Sequence, residues 1–445
     1  MKNKIYDVGI IGAGITGLTL SYYLKKKGLK TCLIEKSNKA GGVIITKKIN
    51  GFICEEGPNT ILLNNESIIN LINDLKLNNS VIEADKSINK KYILHNNNIV
   101  LMPNKILNFI KSPLLNLSSK LKIISGLLFI KDKKSKTVYD FFKNNFSEQL
   151  HDNIIEPFLN GIYAGNTKKL YLQHAMPFLW KILKKNSSLL LYLMFQNKRK
   201  KRKTISFKEG NKTLIDKLVE ENKDSINYLF NVKTINSKEK INIIESDCKK
   251  KIQCKKIVST IPIKKLIKIL KLKPKYLTSK NNYNPIDVFH FKYCATEKYK
   301  IPKGFGLLSK SDEKKTFLGI LFSSFIFPNH SPNKSELITV LSGGEKQKNL
   351  FKKEINIISE KIKKEIKELF NLNKLELLNK KRWINAIPNY GKEINNTRKE
   401  IRHIERKHKN LHVIGNFYEG VSVSSCISIA KKTSKKFNNG NQYRK

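Results

Sequence analysis

The apolar positions along the chain change period from segment to segment, and that change assigns most of its elements. Val8-Gly9-Ile10-Ile11 is a continuous apolar run of strand length, the pattern of a strand buried on both faces. Leu18 to Lys27 follows as a helix ended by Gly28, and Thr31-Cys32-Leu33-Ile34 is a second buried strand. Gly210-Asn211-Lys212-Thr213-Leu214 opens a helix, and Ile257-Val258-Ser259-Thr260-Ile261-Pro262 is a further buried strand ending in a turn. Thr316 to Phe322 and Glu336 to Leu341 read as strands, and Glu354 to Phe370 as a Lys/Glu/Ile helix. Asn410 to Asn416 is again a strand meeting a glycine turn, and Ser424 to Phe437 forms the last helix.

The middle, from Asp85 to Lys203, differs in pattern. Beyond Lys91-Tyr92-Ile93-Leu94, Leu107, Ile110, Leu114 and Leu117 repeat at helical spacing, as do Leu121, Ile124, Leu127 and Leu128. The first group reads as a core face, with a membrane-lying face as its alternative. Leu189 to Phe195 is an apolar patch followed by the basic cluster Lys198 to Lys203. It is either a dock for an anionic membrane surface or a buried helix with a solvated linker. No stretch is apolar for long enough to predict a transmembrane helix.

Chemistry enters at the first turn. Gly12-Ala13-Gly14-Ile15-Thr16-Gly17 stands between the first strand and its helix, and Glu35 closes the next strand. Glycines at these spacings serve a tight turn, close approach of backbone to a pyrophosphate, and close helix–strand packing. The acidic residue takes a ribose hydroxyl, and the helix N-terminus offers N–H groups to phosphates. The alternative is an ordinary glycine-rich turn. Similar α/β signatures recur in the middle and at the C-terminal end, which predicts one α/β domain of discontinuous segments with another threaded through it.

Composition adds limits. The 445 residues suffice for two or three domains. The formal net charge is +50, carried by 86 Lys and Arg against 36 Asp and Glu. Lys, Asn and Ile have A+T-rich codons, so genome bias is one source of that charge and attraction to anions the other. Lysine is spread along the whole chain and no nucleic-acid motif is present, so a nucleic-acid partner is not expected. The six cysteines are scattered without CxxC or a Cys/His cluster, which suits a reduced compartment and predicts no metal site. His408 and His412 fall in a polar stretch and read as solvated loop.

Four further segments resemble the protoporphyrinogen oxidase family, FAD enzymes among the amine-oxidase-like flavoproteins. They are Glu56-Gly57-Pro58-Asn59-Thr60; Phe158 to Asn166 with Lys169-Leu170; Leu318 to Ser324 with Phe327-Pro328; and Gly415-Asn416 with Gly420 to Ile427. The resemblance implies a Rossmann-like FAD-binding domain made of 1–84, 204–264 and 393–445. It also implies an inserted α+β substrate-binding domain at 265–392 and a helical, membrane-associating subdomain at 85–203. It implies non-covalent FAD held by Gly12, Ala13, Gly14, Ile15, Thr16 and Gly17, with Glu35 on the adenosine ribose and Val232 on adenine. Gly42, Val43, Gly57, Pro58, Asn59 and Thr60 would lie along the flavin side, and Gly415, Val421, Ser422 and Val423 would close over the flavin and ribityl end.

The implied substrate is a porphyrinogen, an apolar macrocycle carrying propionates, bound by Asn59, Lys91, Leu308, Leu321 and Leu341. Lys91 stands where the family usually has Arg, which keeps the charge and loses the bidentate fork. Leu341 stands where an aromatic is common. The implied reaction is six-electron oxidation of protoporphyrinogen IX to protoporphyrin IX with molecular oxygen as acceptor. Coproporphyrinogen III is the close alternative, and an amine-oxidase-like or phytoene-desaturase-like flavoenzyme the remote one. No side chain stands out as a general base, so no catalytic residue is assigned. A cytoplasmic protein, with peripheral contact at the inner face of the cell membrane and a homodimeric state, is compatible with this reading.

Overall fold

The computed structural model describes residues 4–103, 106–185, 189, 203–238, 240–277, 283–294, 301–332 and 334–437. The apolar patch Leu189 to Phe195 and the basic cluster Lys198 to Lys203 lie, apart from Leu189 and Lys203, outside the described residues, as do the side chains of Leu107 and Ile110.

A seven-stranded sheet is assembled from three separate stretches of chain. Its order is Ile226–Asn227, Thr31–Ile34, Ile5–Ile11, Lys251–Ser259, Ile241–Ser246 and Val232–Lys238, with Leu411–Val413 also on Lys251–Ser259. The first four strands and Leu411–Val413 run parallel, with Ile10 between Leu33 and Val258. Helices cover both faces, so Ile10, Leu33 and Val258 are buried with the helices Ile15–Lys26 and Val423–Ser434 against them. The opposite face packs Ile11, Ile34 and Ile257 against the helices Ile263–Ile269 and Lys392–Lys407. This double burial is why the strands are apolar at every position.

A second seven-stranded sheet has the order Glu376–Pro388, Tyr283–Cys294, Ser335–Gly343, Gly319–Leu321, Gly306–Ser309, Lys91–His95 and Asn98–Leu101. Its pairs are antiparallel except Gly306–Ser309 with Lys91–His95. The hairpin at 91–101 therefore joins this sheet and not the helices that follow it. Of the expected strand Thr316 to Phe322, only Gly319–Leu321 pairs as one, because Phe322 turns the chain into the short helix Ser323–Ile326. One face of the sheet buries Leu307, Ile320 and Val340 under the helix Ile355–Phe370.

The other face meets a helical group that includes Val138–Asn145, Glu156–Tyr163 and Pro177–Lys184. In this group Leu114 is buried, as a core face requires, but Leu117 is 73% exposed. Leu121, Ile124 and Leu128 are exposed with it on the helix Leu117–Leu128, whose Ser119, Ile123 and Gly126 face inward. The core face continues past Leu115 only through Ser119, Ile123, Gly126 and Leu127, while Leu117, Leu121, Ile124 and Leu128 form an uncovered face. Among the described residues no helix is long and apolar enough to cross a membrane.

Candidate active site

The glycine turn between Ile5–Ile11 and Ile15–Lys26 is built by close contacts that side chains would prevent. A Cβ on Gly17 would stand 2.0 Å from the Gly12 carbonyl oxygen, and one on Gly12 would stand 2.7 Å from Thr260 Oγ1. Gly14 caps the helix without a side-chain bond, and its first turn carries no acidic residue. The N–H groups and the positive end of the helix dipole are left for an anion. Ala13 N–H donates to Glu35 Oε2 at 3.1 Å and Ser37 N–H donates to Oε1 at 2.9 Å, which fixes the carboxylate at the strand end. Tyr228 to Val232 runs alongside, since Phe230 N–H donates to the Glu35 carbonyl, and this brings half-buried Val232 to the Glu35 end of the groove.

The groove continues past Gly41 and Gly42. Gly41 N–H donates to the Ala13 carbonyl, and a Cβ on Gly42 would stand 3.3 Å from Gly14 Cα. Val43 is 43% exposed beside it. Gly57 fits beneath this loop only as glycine, because its Cβ would meet the Val43 carbonyl oxygen at 1.9 Å. Pro58 is held through its carbonyl by Asn211 Nδ2 at 2.7 Å, and Asn59 and Thr60 follow, half-buried. Ser422 caps the last helix by accepting from Ser425 N–H, and Val423 is its first residue. Val421 touches the helical core, and Gly415 stands two residues past the Leu411–Val413 strand. These contacts link the segments 12–17, 35, 42–43 and 57–60 to one another, and Val423 and Cys426 of the last helix share a core with Ile15. A glycine turn with no room for side chains at the start of a helix, next to a fixed carboxylate, fits the pyrophosphate and ribose of FAD.

The residues expected around the substrate share one face of the second sheet. Lys91 pairs with Gly306, which pairs with Leu321, which pairs with Thr339. Leu308 pairs with Gly319, which pairs with Leu341. Alternation then sends Lys91, Leu308, Leu321 and Leu341 to the same side. All four are half-buried. Asn59 and Leu321 line one small cavity with Glu55, Thr60, His330 and Thr339. Leu341 lies further off, packed with Leu318, Ala164 and Val288.

Several features of this site have no signal in the sequence. Lys91 Nζ sits 5.5 Å from the Phe158 ring centroid and 5.7 Å from that of Phe305, a cation between two aromatic rings. It has no carboxylate partner among the described residues, and burial lowers its pKa from the usual 10.5. Glu55 is buried, accepting from Asn211 N–H at 2.6 Å and Thr46 Oγ1 at 2.9 Å, and burial pushes its carboxyl up to about 7. Two side chains hold the loop 415–420 from outside. Arg398 donates to the Tyr418 carbonyl from Nε and Nη2, and Tyr390 Oη donates to the Asn416 carbonyl at 2.6 Å. His408 caps the Lys392–Lys407 helix, and His412 lies in the Leu411–Val413 strand.

Residues 15–436 match the family model of flavin-containing amine oxidoreductases. The mitochondrial protoporphyrinogen oxidase of Nicotiana tabacum is 28% identical over 95% of this chain and 92% of its own. The coproporphyrinogen III oxidase of Bacillus subtilis is 24% identical over 97% of each. A crystal structure from Exiguobacterium sp. 255-15, provisionally named a protoporphyrinogen oxidase, superposes with a TM-score of 0.83 at 18% identity. It covers 98% of this chain and 99% of that one. Reduced UDP-galactopyranose mutase has the same fold, with a TM-score of 0.74 at 14% identity over 97% and 95% of the two chains.

Proposed function

We propose, from the premise that this chain belongs to the flavin-containing amine oxidoreductase family, that it oxidises protoporphyrinogen IX to protoporphyrin IX with oxygen as acceptor. Bound FAD supplies the hydride acceptor. The chain supplies the pocket. Gly12 to Gly17 and the N-terminus of Ile15–Lys26 take the pyrophosphate, Glu35 the ribose, Val232 the adenine, and 42–43, 57–60, Gly415 and 421–423 the flavin end. Leu308, Leu321 and Leu341 offer aliphatic surface to the macrocycle, and Asn59 meets Leu321 at the flavin edge.

Lys91 carries the reading of the substrate. An ammonium held between Phe158 and Phe305, with no carboxylate partner among the described residues, carries a desolvation cost that the two ring faces offset only in part. A propionate beside it relieves that cost and fixes the macrocycle by one edge. One such cation among the described residues of a mainly aliphatic face suits a porphyrinogen with few carboxylates, which favours protoporphyrinogen IX over coproporphyrinogen III. The segments 1–84, 204–264 and 393–445 act in this reading as the FAD-binding part, and 265–392, joined by the hairpin at 91–101, as the substrate-binding part.

The exposed stripe Leu117, Leu121, Ile124, Leu128 and Phe129 is a membrane-lying face, with Lys120 and Lys122 beside it for anionic headgroups. It would hold the protein on a bilayer from which an apolar substrate is drawn.

The test is one aerobic preparation. The purified protein is expected to be yellow, to release FAD on heating, and to turn protoporphyrinogen IX into fluorescent porphyrin faster than coproporphyrinogen III. Lys91→Met should raise KM about ten-fold or more with kcat less affected, and Lys91→Arg should restore it. Bound FAD with no porphyrin from either substrate would refute the substrate. An unchanged KM in Lys91→Met would remove Lys91 from the site.

A further inference from the structure

A second site lies away from the groove, on the outer side of the Lys392–Lys407 helix. Lys399, Arg402, His403 and Arg406 stand at helical spacing on one face and, with Tyr276, line a surface cavity of about 240 Å³. The opposite face of the helix carries Ile394, Thr397, Ile401 and Ile404 into the core.

The wall opposite the helix is fixed in place. Buried Glu400 accepts the N–H groups of Lys275 and Tyr276 through Oε2, at 2.9 and 2.6 Å. That pins the Tyr276 ring edge-on to His403, with centroids 6.0 Å apart, and the Lys275 ammonium 5.7 Å from the Tyr276 ring.

Among the described residues Glu393, Glu400 and Glu405 of the helix form no ion pair with this face; Glu400 accepts the two N–H groups, and Glu405 accepts from Val413 N–H at 2.9 Å. Among the described residues, no carboxylate forms an ion pair with Lys399, Arg402 or Arg406.

The choice of residue sets this cluster apart from the general excess of lysine. Seven arginines stand among the 86 basic residues, and Arg398, Arg402 and Arg406 fall at every fourth position of this one helix. Arg398 is used by the Tyr418 carbonyl. Arg402 Nε donates to the Arg398 carbonyl at 3.4 Å, which leaves its two terminal amino groups, and Arg402 and Arg406 both line the cavity with paired donors that match phosphate oxygens two at a time.

We propose that this cavity binds a small soluble ligand through a diphosphate or longer phosphate chain, one fork to each phosphoryl group, with Lys399 and Lys275 completing the neutralisation and Tyr276 walling one side. This does not depend on which porphyrinogen the enzyme oxidises.

The test uses FAD-saturated protein, so that the glycine groove is filled, titrated with inorganic pyrophosphate by calorimetry. Saturable binding at one site is expected. Arg402→Gln/Arg406→Gln should weaken it by about ten-fold or more, since charge-assisted hydrogen bonds are lost at both positions. Lys361→Gln/Lys364→Gln removes the same charge from the distant Ile355–Phe370 helix and should leave the affinity within about two-fold, as screening of remote surface charges requires. Both arginines are exposed, and flavin content checks that the variant is folded. Absence of saturable binding, or equal weakening by the two double variants, would overturn the site. Tighter binding of glycerol 3-phosphate than of pyrophosphate would overturn the diphosphate assignment in favour of a phosphomonoester such as a lipid headgroup.

Discussion

Replacing Glu55 with glutamine removes a buried carboxyl whose charge the fold accommodates poorly. Glu55 is 3% exposed and pairs with no cation among the described residues; its partners are the neutral donors Asn211 N–H and Thr46 Oγ1. Burial outweighs those bonds and lifts its carboxyl from 4.5 to about 7. Between those two values the folded protein keeps a proton that the unfolded chain has released. Its contribution to stability is therefore full below pH 4.5, falls as pH rises, and is gone above about 7. At about 1.4 kcal/mol per unit, the whole change is about 3 kcal/mol. In Glu55→Gln the amide oxygen still accepts from Asn211 N–H, and the side chain carries no charge at any pH. Urea unfolding of both proteins from pH 4.5 to 8 should show the variant gaining about 3 kcal/mol on the wild type across that window. The difference is needed because His174, His290 and His330, all lowered to about 4 by burial, act in the opposite direction. They lose stability as pH falls below the unfolded value of 6.5, in both proteins alike. A pH-independent difference between wild type and variant would refute the reasoning, since Glu55 would then be ionised in the fold at little cost.

Gly14→Ala and Gly17→Ala should separate cofactor binding from folding. A Cβ on Gly14 meets only Gly42 Cα at 4.0 Å and suits its φ of −76°, so the apoprotein should melt as before while flavin absorbance per mole of protein collapses. At Gly17 the clash with the Gly12 carbonyl should lower the melting point itself. Arg398→Ala loses both bonds to the Tyr418 carbonyl and should release FAD faster on dilution, with secondary structure by circular dichroism intact. Leu121→Glu/Ile124→Glu places charge on the exposed stripe and should abolish flotation with anionic vesicles without reducing turnover of detergent-dispersed substrate; retained flotation would move the membrane contact elsewhere.

The dinucleotide half of the site was legible because its chemistry is local. Gly12, Gly14, Gly17 and Glu35 are read from one strand, one turn and the next strand, and their spacing alone demands close backbone contacts. The helix Lys392–Lys407 was legible in principle, since Ile394, Thr397, Ile401 and Ile404 keep a helical period behind Gly391, but its charged residues conceal the stripe. The exposed stripe after Leu115 was ambiguous for a different reason. Periodicity finds an apolar face but not what covers it, and Leu117 differs from Leu114 only in what the fold puts opposite.

The substrate side depends on register. Lys91, Leu308, Leu321 and Leu341 come from four strands spread over some 250 positions, and each stands on one face only because of how those strands pair. A slip of one residue at Gly306 would turn Leu308 into the core and Leu307 toward the groove. Motif position puts these four residues on strands that the structure pairs side by side, because a family motif carries its register with it. It did not reveal Phe158 and Phe305 around the Lys91 ammonium, nor the rise at Glu55, because both follow from burial by chain segments distant in sequence. In the proposed function the shape of the pocket resides in this pairing, and a substitution that shifts the Gly306–Ser309 strand should change substrate selection more than one that alters a single lining side chain.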